Sequence, residues 1–192
     1  MARLLVVYGT TEGHTRKVAG EIARALRGNG HAADVIEASL RPSPAGYDGV
    51  VVAASVHQLR HQESVTRFIH DHVHLLGTMP TAFFSVSLNA ALADEEHQEA
   101  AWECVEGLVA ETGWRPGAAF LVAGALRYSR YGFFTRWIMR RFARRYTGDT
   151  DTSRDYEYTD REKLRRDAGS FLALLPGDAT AAEAGEPLDA AV

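Results

Sequence analysis

The sequence contains very little cysteine: Cys104 is the only one among 192 residues. A single cysteine excludes an internal disulfide framework and favours a reducing compartment. Long apolar runs are also missing, because no stretch approaches the roughly 18 residues of a membrane span, and the N-terminus has no signal-peptide pattern. These absences predict a soluble or peripheral cytoplasmic protein whose length fits one domain.

Acidic residues are missing from one segment. The formal net charge of the chain is −4, but residues 127–145 hold seven arginines and neither aspartate nor glutamate. The other residues of the chain therefore carry a formal net charge of −11. A charge concentrated in this way indicates a local role. We expect no nucleic-acid partner, because the remaining surface is acidic and no recognition fold is visible.

The first loop lacks both common glycine motifs for nucleotides, the P-loop and GxGxxG. Residues 4–15 read LLVVYGTTEGHT, which predicts a buried strand, a small polar loop and a helix N-terminus. Free backbone N–H groups and the positive end of a helix dipole then meet at one point, as in an anion site. Hydroxyls of Thr10, Thr11 and Thr15 around Gly13 suit a phosphate monoester. The alternative is a loop that only caps the helix.

Strands and helices alternate along the chain. After the strand that begins at Leu4, strands are predicted at residues 32–38, 49–54, 80–86 and 118–123. Helices are predicted at residues 15–26, 63–76, about 94–112, from 133 onward and at 160–175. Five such cycles favour an α/β fold, a flavodoxin-like doubly wound five-stranded parallel sheet with helices on both faces. The loops at residues 9–15, 55–62 and 85–89 then surround one pocket.

The basic segment is the second informative stretch. From Phe133 a helix would align Phe134, Ile138 and Phe142 on one stripe, and Arg136, Arg140 and Arg144 on another. A cationic helix with aromatic anchors can lie on an anionic membrane. Alternatively, the guanidinium groups of the arginines can bind the carboxylates of a substrate. The third possibility is a solvated arginine face above aromatic core residues.

Several motifs resemble a known family. VVYGTTEGHTRKVAGEIA resembles the FMN-phosphate loop and first helix of flavodoxins. MPTAFFSVSLNA (79–90), VAGALRYSRYGFF (122–134) and TGDTDTSRDYEYTD (147–160) resemble the flavodoxin-like, menaquinone-dependent protoporphyrinogen IX dehydrogenases, which carry an arginine- and aromatic-rich insertion after the fifth strand. The resemblance spans residues 3–175. It implies FMN as cofactor, protoporphyrinogen IX as substrate and menaquinone or a related membrane quinone as electron acceptor.

The resemblance also assigns residues. The phosphate would be held by Thr10, Thr11, Gly13, His14 and Thr15, with Glu12 contributing its backbone amide. The flavin ring would lie between two loops, against Ser55, Val56, His57, Ser87, Leu88 and Asn89. His57 and His61 are the candidate catalytic residues. The candidate substrate or membrane contacts are Arg127, Arg130, Arg136, Arg140 and Arg144.

Two loops depart from the family pattern. The family sequence after the third strand is similar to SIRYGHYH, whereas this chain has SVHQLRHQ, with Gln58 and Leu59 in place of tyrosine and glycine. Flavin stacking would then fall to His57, Leu59 or His61. Ser87 and Asn89 replace an expected asparagine and an apolar residue.

The remaining features carry weaker expectations. His70 and His74 lie four residues apart on a predicted helix that also carries His72, but two helical histidines without an evident third ligand nearby are usually surface residues, so we expect no metal site. We expect Cys104 to be an inert thiol, and Trp102 and Trp114 to contribute to packing. The predicted domain covers residues 1–175 and includes the insertion at 127–148. Residues 176–192 are predicted to form a disordered tail. The alternative function is a flavodoxin-like FMN electron carrier or binding module that docks to a redox partner protein, or a non-flavin interaction domain.

Overall fold

The computed structural model describes residues 1–176. The predicted disordered tail therefore lies outside the described residues, apart from Pro176. In chain order the strands are β1 (Arg3–Gly9), β2 (Ala32–Glu37), β3 (Gly49–His57), β4 (Arg60–His61), β5 (Thr81–Ser87), β6 (Ala118–Ala123), β7 (Ala125–Leu126) and β8 (Tyr156–Glu157). The α-helices are α1 (His14–Gly28), α2 (Glu63–Leu76), α3 (Glu95–Thr112), α4 (Phe133–Tyr146) and α5 (Arg161–Leu172).

Five parallel strands form the main sheet of the described part of the chain, in the order β2-β1-β3-β5-β6. The register places Val6 of β1 beside Val35 of β2 and Val51 of β3. This is the doubly wound order predicted from the sequence. The direction in which successive strands are added to the sheet reverses between β1 and β3. The carboxyl ends of these strands therefore open a crevice at the edge of the sheet.

Apolar side chains cover both faces of the sheet, as the unbroken apolar runs predict. On one face α1 and α5 pack through residues such as Ile22 and Phe171. On the other face α2 and α3 pack through residues such as Ile69, Val105 and Leu108. Cys104 lies buried in α3, where its Sγ atom faces the Ala100 carbonyl at 3.3 Å and burial raises its thiol pKa, so the expectation of an inert cysteine fits its setting.

Helix ends follow local chemistry. Asp94 caps α3 by accepting a hydrogen bond from the His97 N–H, and Gly113 ends that helix with a φ of 70°. Asp160 caps α5 by accepting from the N–H groups of Glu162 and Lys163. These aspartates and the left-handed glycine are the stop and start signals that fixed the predicted boundaries to within a few residues.

The structure differs from the sequence prediction after the third strand. β3 continues three residues further than expected, and β4 pairs back on it in antiparallel register, with His57 opposite Arg60. The predicted polar loop at residues 55–62 is therefore a tight hairpin whose turn is Gln58-Leu59. β7 and β8 form a second small sheet that the sequence did not indicate.

The insertion packs as a separate small cluster. Leu126, Tyr128, Tyr131 and Ala143 are buried together, flanked by Leu88 and Met139 among others. Within residues 1–176, no helix combines the length and the apolarity needed to cross a membrane.

Candidate functional site

A cavity of about 450 Å³ lies at the carboxyl end of the sheet. It is bounded by the β1–α1 loop, the β3–β4 hairpin, the loop after β5 and one face of α4. All of the predicted cofactor-binding residues except Gly13 line it: Thr10, Thr11, Glu12, His14, Thr15, Ser55, Val56, His57, Ser87, Leu88 and Asn89. Its volume falls in the range of about 300–1,000 Å³ typical of small-molecule pockets.

The β1–α1 loop has the geometry of an anion site. Gly13 adopts a φ of 84°, which favours glycine, and its N–H donates to Thr10 Oγ1 at 2.9 Å. Thr15, in the first turn of α1, is fully buried, and its hydroxyl finds no hydrogen-bond partner among residues 1–176. Because a buried hydroxyl without a partner is costly, and the first-turn N–H groups also lack intrahelical partners, this end of the cavity is built for an acceptor-rich ligand such as phosphate.

Gly9 allows the loop to sit close to α2. A Cβ atom at this position would lie 2.4 Å from Val65 Cγ2 and 3.1 Å from Gln62 Oε1. The amide of Gln62 donates to Ser55 Oγ and, at 3.2 Å, to Thr11 Oγ1. Gln62 thus links the hairpin to the β1–α1 loop, a role that its position outside the motifs did not signal.

His14, which is expected among the phosphate-holding residues, lines the cavity and also contacts the β8–α5 connection. Its Nε2 atom lies 2.8 Å from Thr159 Oγ1, and Nδ1 lies 4.0 Å from Glu157 Oε2. Burial lowers the pKa of His14, with Glu157 acting in the opposite direction. The ring is therefore anchored to the β8–α5 connection through Nε2, while Nδ1 has no hydrogen-bond partner within residues 1–176.

Glu12 also differs from its expected role as a backbone donor alone. Glu12 lines the cavity, as does Tyr131 from the insertion. Burial raises the pKa of the Glu12 carboxyl, whereas His57, Tyr131 and Arg127 oppose that shift. Burial also raises the pKa of Tyr131 to about 12. No local pattern signals that these two residues meet, because they lie over a hundred positions apart.

The hairpin places the two candidate catalytic histidines in different surroundings. His57 is exposed and lines the cavity. The ring of His61 instead contacts Ser85 and lies edge-on to Phe83 at 5.1 Å, outside the cavity lining. Burial lowers the pKa of His61 to about 4. His61 is therefore a packed neutral residue, which corrects its candidacy as a catalytic or flavin-stacking group.

The turn of the hairpin is strained. Gln58 and Leu59 have φ values of 52° and 63°, a conformation usual for Asn-Gly in type I′ turns. The Leu59 side chain is 73 % exposed at the cavity rim. An apolar side chain is thus held over the cavity where the family pattern has glycine.

The loop after β5 forms another wall of the cavity, through Ser87, Leu88 and Asn89. Ser87 Oγ accepts a hydrogen bond from the Ala90 N–H at 3.1 Å, so it shapes the turn through Leu88 and Asn89. Gly124 donates to the Ser87 carbonyl at 2.8 Å, and a Cβ at Gly124 would lie 3.2 Å from that carbonyl. Close approach therefore explains the glycine in the AGALRY motif.

Helix α4 forms the outer wall of the cavity. Phe134, Thr135, Ile138 and Met139 line it. Phe134 is nevertheless 70 % exposed, Phe133 90 % and Trp137 57 %, and Ala143 is the one helix residue that is buried within the described structure. Phe133, Phe134 and Trp137 of α4 are thus exposed and do not form the aromatic core that the interpretation of a solvated arginine face expects.

The structure divides the five arginines assigned to substrate or membrane. Arg127 pairs with Asp155 at 3.2 Å, and Arg136 Nη2 donates to the Tyr131 carbonyl at 3.2 Å. These two are structural contacts of the insertion. Arg130, Arg140 and Arg144 are exposed and form no ion pair within residues 1–176. A groove on the outer side of α4 is lined by Trp137, Arg140, Arg141, Arg144 and Arg145.

The histidines of α2 do not form a metal centre in the described structure. Nδ1 of His72 lies 2.9 Å from the Phe68 carbonyl. In the part of the chain that the structure describes, no group of three or more His, Cys, Asp or Glu residues is arranged to hold a metal ion.

Comparisons with known proteins agree with this architecture. Residues 5–153 match a family model described as a flavodoxin domain. A protoporphyrinogen IX dehydrogenase (quinone) of Escherichia coli K12 is 31 % identical over 174 residues, covering 90 % of this chain and 96 % of that protein. One of Leishmania major is 31 % identical over 175 residues, covering 90 % of this chain and 75 % of that protein.

A solved structure shares the fold. Oxidised flavodoxin 1 from Bacillus cereus aligns with a TM-score of 0.55 at 16 % identity, covering 91 % of this chain and 100 % of that chain. The matched domain, the near-complete coverage of both chains in the bacterial comparison and the doubly wound sheet lead to one conclusion: the chain belongs to the flavodoxin-domain family, within the group of the protoporphyrinogen IX dehydrogenases (quinone).

Proposed function

We propose that this protein is an FMN-dependent dehydrogenase that oxidises protoporphyrinogen IX to protoporphyrin IX and passes the electrons to a membrane quinone. One observation carries the proposal: a single cavity connects a buried, unpartnered Thr15 hydroxyl at a helix N-terminus to the apolar face of α4. The first end suits the phosphate of FMN, and the second suits a large apolar substrate. The names of the 31 %-identical relatives support the same reaction.

FMN would be held by groups already in place. The Thr15 hydroxyl and the backbone N–H groups of residues 12–15 would bind the phosphate, while Thr10 and Thr11 shape the loop through Gly13 and Gln62. The flavin ring would lie between Ser55–His57 and Ser87–Asn89. Bound there, FMN supplies hydride and electron transfer, which no side chain can provide.

The chain's own residues would position the substrate. Leu59, Phe134 and Ile138 offer an apolar surface at the mouth of the cavity for the macrocycle. The exposed guanidinium groups of Arg130 and Arg140 are available for its carboxylates. The imidazole of His57, at the cavity surface, can accept a proton that the substrate releases.

We also propose that α4 docks on an anionic membrane, on its cytoplasmic face. Phe133 and Trp137 are exposed apolar anchors, and Arg140, Arg141, Arg144 and Arg145 surround Trp137 without carboxylate partners in the described residues. Each arginine near an anionic surface contributes on the order of 1 kcal/mol. Because the opposite face of α4 lines the cavity, this orientation brings the site beside the lipid phase, where menaquinone resides.

The reaction is tested with the purified full chain. FMN is titrated and followed by the quenching of its fluorescence, and the loaded protein is then mixed with protoporphyrinogen IX and a menaquinone analogue under anaerobic conditions. We expect porphyrin fluorescence to rise only when protein, FMN and quinone are all present. FMN binding without porphyrin formation would favour the electron-carrier alternative, and no FMN binding would favour a non-flavin domain.

Membrane docking is tested separately by co-sedimentation. Vesicles containing phosphatidylglycerol should retain the protein, and pure phosphatidylcholine vesicles should not. Raising the salt concentration should release it, because surface charges are screened. Equal retention on both vesicle types would contradict an electrostatic membrane surface while leaving the reaction untouched.

A further inference from the structure

The most exposed apolar side chains of α4 lie in its first half. They are those of Phe133, Phe134, Trp137 and Ile138. Arg136, the charged residue among them, is half-buried and turns back to donate to the Tyr131 carbonyl at 3.2 Å. Between residues 133 and 138 the surface of α4 is therefore mainly apolar, and none of its exposed residues is charged.

The exposed charges of α4 lie in its second half. They belong to Arg140, Arg141, Arg144 and Arg145. None of the four forms an ion pair in the part of the chain that the structure describes. Tyr146, the exposed aromatic residue at this end, packs its ring against His97 with centroids 4.6 Å apart. The C-terminal half of the helix thus presents a cationic surface.

The apolar residues and the arginines of α4 are regularly spaced along the helix. Each of the four apolar residues has an arginine seven positions further along the chain: Phe133 with Arg140, Phe134 with Arg141, Trp137 with Arg144 and Ile138 with Arg145. Seven residues make almost two turns of an α-helix, so the two members of a pair lie on the same side of the helix, about 10 Å apart along its axis. The apolar and cationic surfaces of α4 are therefore separated along the axis and not around the circumference.

This axial separation decides how the helix can meet a bilayer. A helix that lies in the membrane plane carries its apolar residues along one side and its charged residues along the other. If α4 lay flat, the arginines would enter the apolar region together with the aromatic residues. If its N-terminal end points inward, the aromatic residues reach the acyl chains while the arginines stay at the phosphates. The axial separation matches the depth of about 5–10 Å to which interfacial helices are buried.

A second element places an apolar side chain at the same end of the cavity. Leu59, in the turn of the β3–β4 hairpin, is 73 % exposed. It lines the same cavity as Phe134 and Ile138. These three exposed residues form an apolar rim, and an inclined α4 would bring this rim to the bilayer.

We propose that α4 enters an anionic bilayer obliquely, with Phe133 and Trp137 among the acyl chains and its C-terminal arginines at the lipid phosphates. The apolar rim then opens the cavity into the lipid phase, so a lipid-soluble quinone reaches the site without crossing water. The exposed Arg130, in the turn before α4, is compatible with this placement because a long arginine side chain can extend its guanidinium to the phosphates. The inference rests on the proposed membrane docking and adds the inclination of the helix, a contact at Leu59 and the route of the quinone.

The inclination is tested by exchanging one pair of residues. The double variant Phe133→Arg with Arg140→Phe keeps the composition, the net charge and the side of the helix, but it reverses the order along the axis. We expect its affinity for phosphatidylglycerol vesicles, measured by co-sedimentation of the full chain, to fall at least about tenfold, because an arginine then enters the acyl region. Equal affinity of this variant and the wild type, as a flat helix would give, would overturn the proposal.

A second exchange is the matched control. Trp137→Ile with Ile138→Trp also moves two exposed residues, but both lie in the apolar half of α4, so the axial order is kept. Its vesicle affinity should stay within about twofold of the wild type. An unchanged midpoint of thermal unfolding shows that each exchange variant is folded.

The depth of each end of α4 is measured by tryptophan fluorescence with bromine on the acyl chains of the vesicles, which decides the inclination even if the exchange variant does not fold. Trp137→Phe removes the native tryptophan of α4, and Phe133→Trp or Tyr146→Trp then introduces one at either end. The signal of Trp102 and Trp114, measured in Trp137→Phe alone, is subtracted. We expect at least about threefold stronger quenching at position 133 than at position 146. Equal quenching at both ends would contradict an oblique helix.

Leu40 provides the matched control for Leu59. Both side chains are 73 % exposed, but Leu40 follows β2 and lies outside the cavity lining. Leu59→Ser should weaken vesicle binding by about fivefold, because the apolar area that inserts is reduced, and Leu40→Ser should leave it unchanged. Equal binding by the two variants would remove the hairpin from the membrane contact.

The outcomes separate this inference from the proposed function. If anionic vesicles do not retain the wild type, an acidic protein partner is favoured, and both the docking and this inference are overturned. If they retain the wild type and the exchange variant equally, only the inclination is overturned. If the protein does not oxidise protoporphyrinogen IX, the proposed reaction fails while the vesicle measurements still decide the inclination.

Discussion

The Nε2 atom of His61 lies 3.1 Å from Oγ of Ser85, beneath the edge of the sheet and outside the cavity lining. The same ring packs edge-on to Phe83, whose other neighbour is Trp114. A histidine so placed is favoured in its neutral form, because burial penalises the imidazolium ion.

His61 makes the fold sensitive to acid. Its pKa is lowered from 6.5 to about 4, so the neutral ring contributes stability that is present above about pH 6.5 and lost as the pH falls through about 4. This contribution is on the order of 3 kcal/mol. The free energy of unfolding is measured in urea at about pH 7 and about pH 4.5. On acidification it should fall by about 2 kcal/mol less in His61→Gln than in the wild type. In His57→Gln, which changes an exposed histidine, the free energy of unfolding should fall as much as in the wild type. An equal fall in the wild type and both variants would contradict the role of His61.

The Thr15 hydroxyl is predicted to serve the ligand and not the fold. Thr15→Val removes a buried hydroxyl without a partner in the described structure, so the stability of the FMN-free protein should stay equal or rise. FMN affinity should fall by about 2 kcal/mol, or roughly thirtyfold in Kd, as for the loss of a hydrogen bond to a charged group. Both quantities are measured by thermal unfolding and by flavin fluorescence.

Thr112→Val is the control for Thr15. The Thr112 hydroxyl donates to the Leu108 carbonyl at 2.8 Å, at the end of α3. This substitution should lower stability by about 1 kcal/mol and leave FMN affinity unchanged. An unchanged Kd for FMN in Thr15→Val would remove Thr15 from the phosphate site.

The strained turn of the hairpin can be relieved by substitution. Left-handed conformations cost a residue with a side chain roughly 1–2 kcal/mol, so replacing Gln58-Leu59 by Asn-Gly should stabilise the protein by about 1–2 kcal/mol in urea unfolding. The same variant removes the exposed Leu59 side chain from the cavity rim and should raise the KM for protoporphyrinogen IX. Gln58→Asn alone separates the two effects, since it leaves Leu59 in place. A more stable double variant with unchanged KM would exclude Leu59 from substrate binding.

The arginines of the insertion should fall into two classes. Arg136→Ala removes the bond to the Tyr131 carbonyl and should expose α4 to trypsin. Arg140→Ala and Arg144→Ala should leave α4 intact but weaken binding to phosphatidylglycerol vesicles by about 1 kcal/mol each. Arg115→Ala, an exposed arginine before β6, is the matched control and should not affect vesicle binding. Equal vesicle binding by all variants would return Arg140 and Arg144 to a solvated surface.

Much of the fold followed from local sequence. The apolar runs around Val51 and Phe84 predicted strands buried on both faces, and the structure contains them in parallel register. Asp94, Gly113 and Asp160 gave helix ends because capping depends on residues only a few positions apart. The polar β1–α1 loop was recognisable for the same reason, since its hydroxyls, its glycine and the helix start are contiguous.

The long-range contacts were not accessible in this way. No Asn-Gly pair marked the turn at Gln58, so the sequence could not show that the chain reverses there and carries His61 away from the cavity. The meeting of Glu12 and Tyr131 at one cavity and the bond that sets Arg136 apart from Arg140 depend on where the insertion packs, which local pattern does not encode.

By itself, then, the sequence determined the strand and helix order, the polar β1–α1 loop and the basic insertion, because each depends on neighbouring residues. The tertiary structure alone decided which side chains face the cavity. The reason is that segments over a hundred residues apart in sequence meet around one cavity, as Glu12 and Tyr131 do.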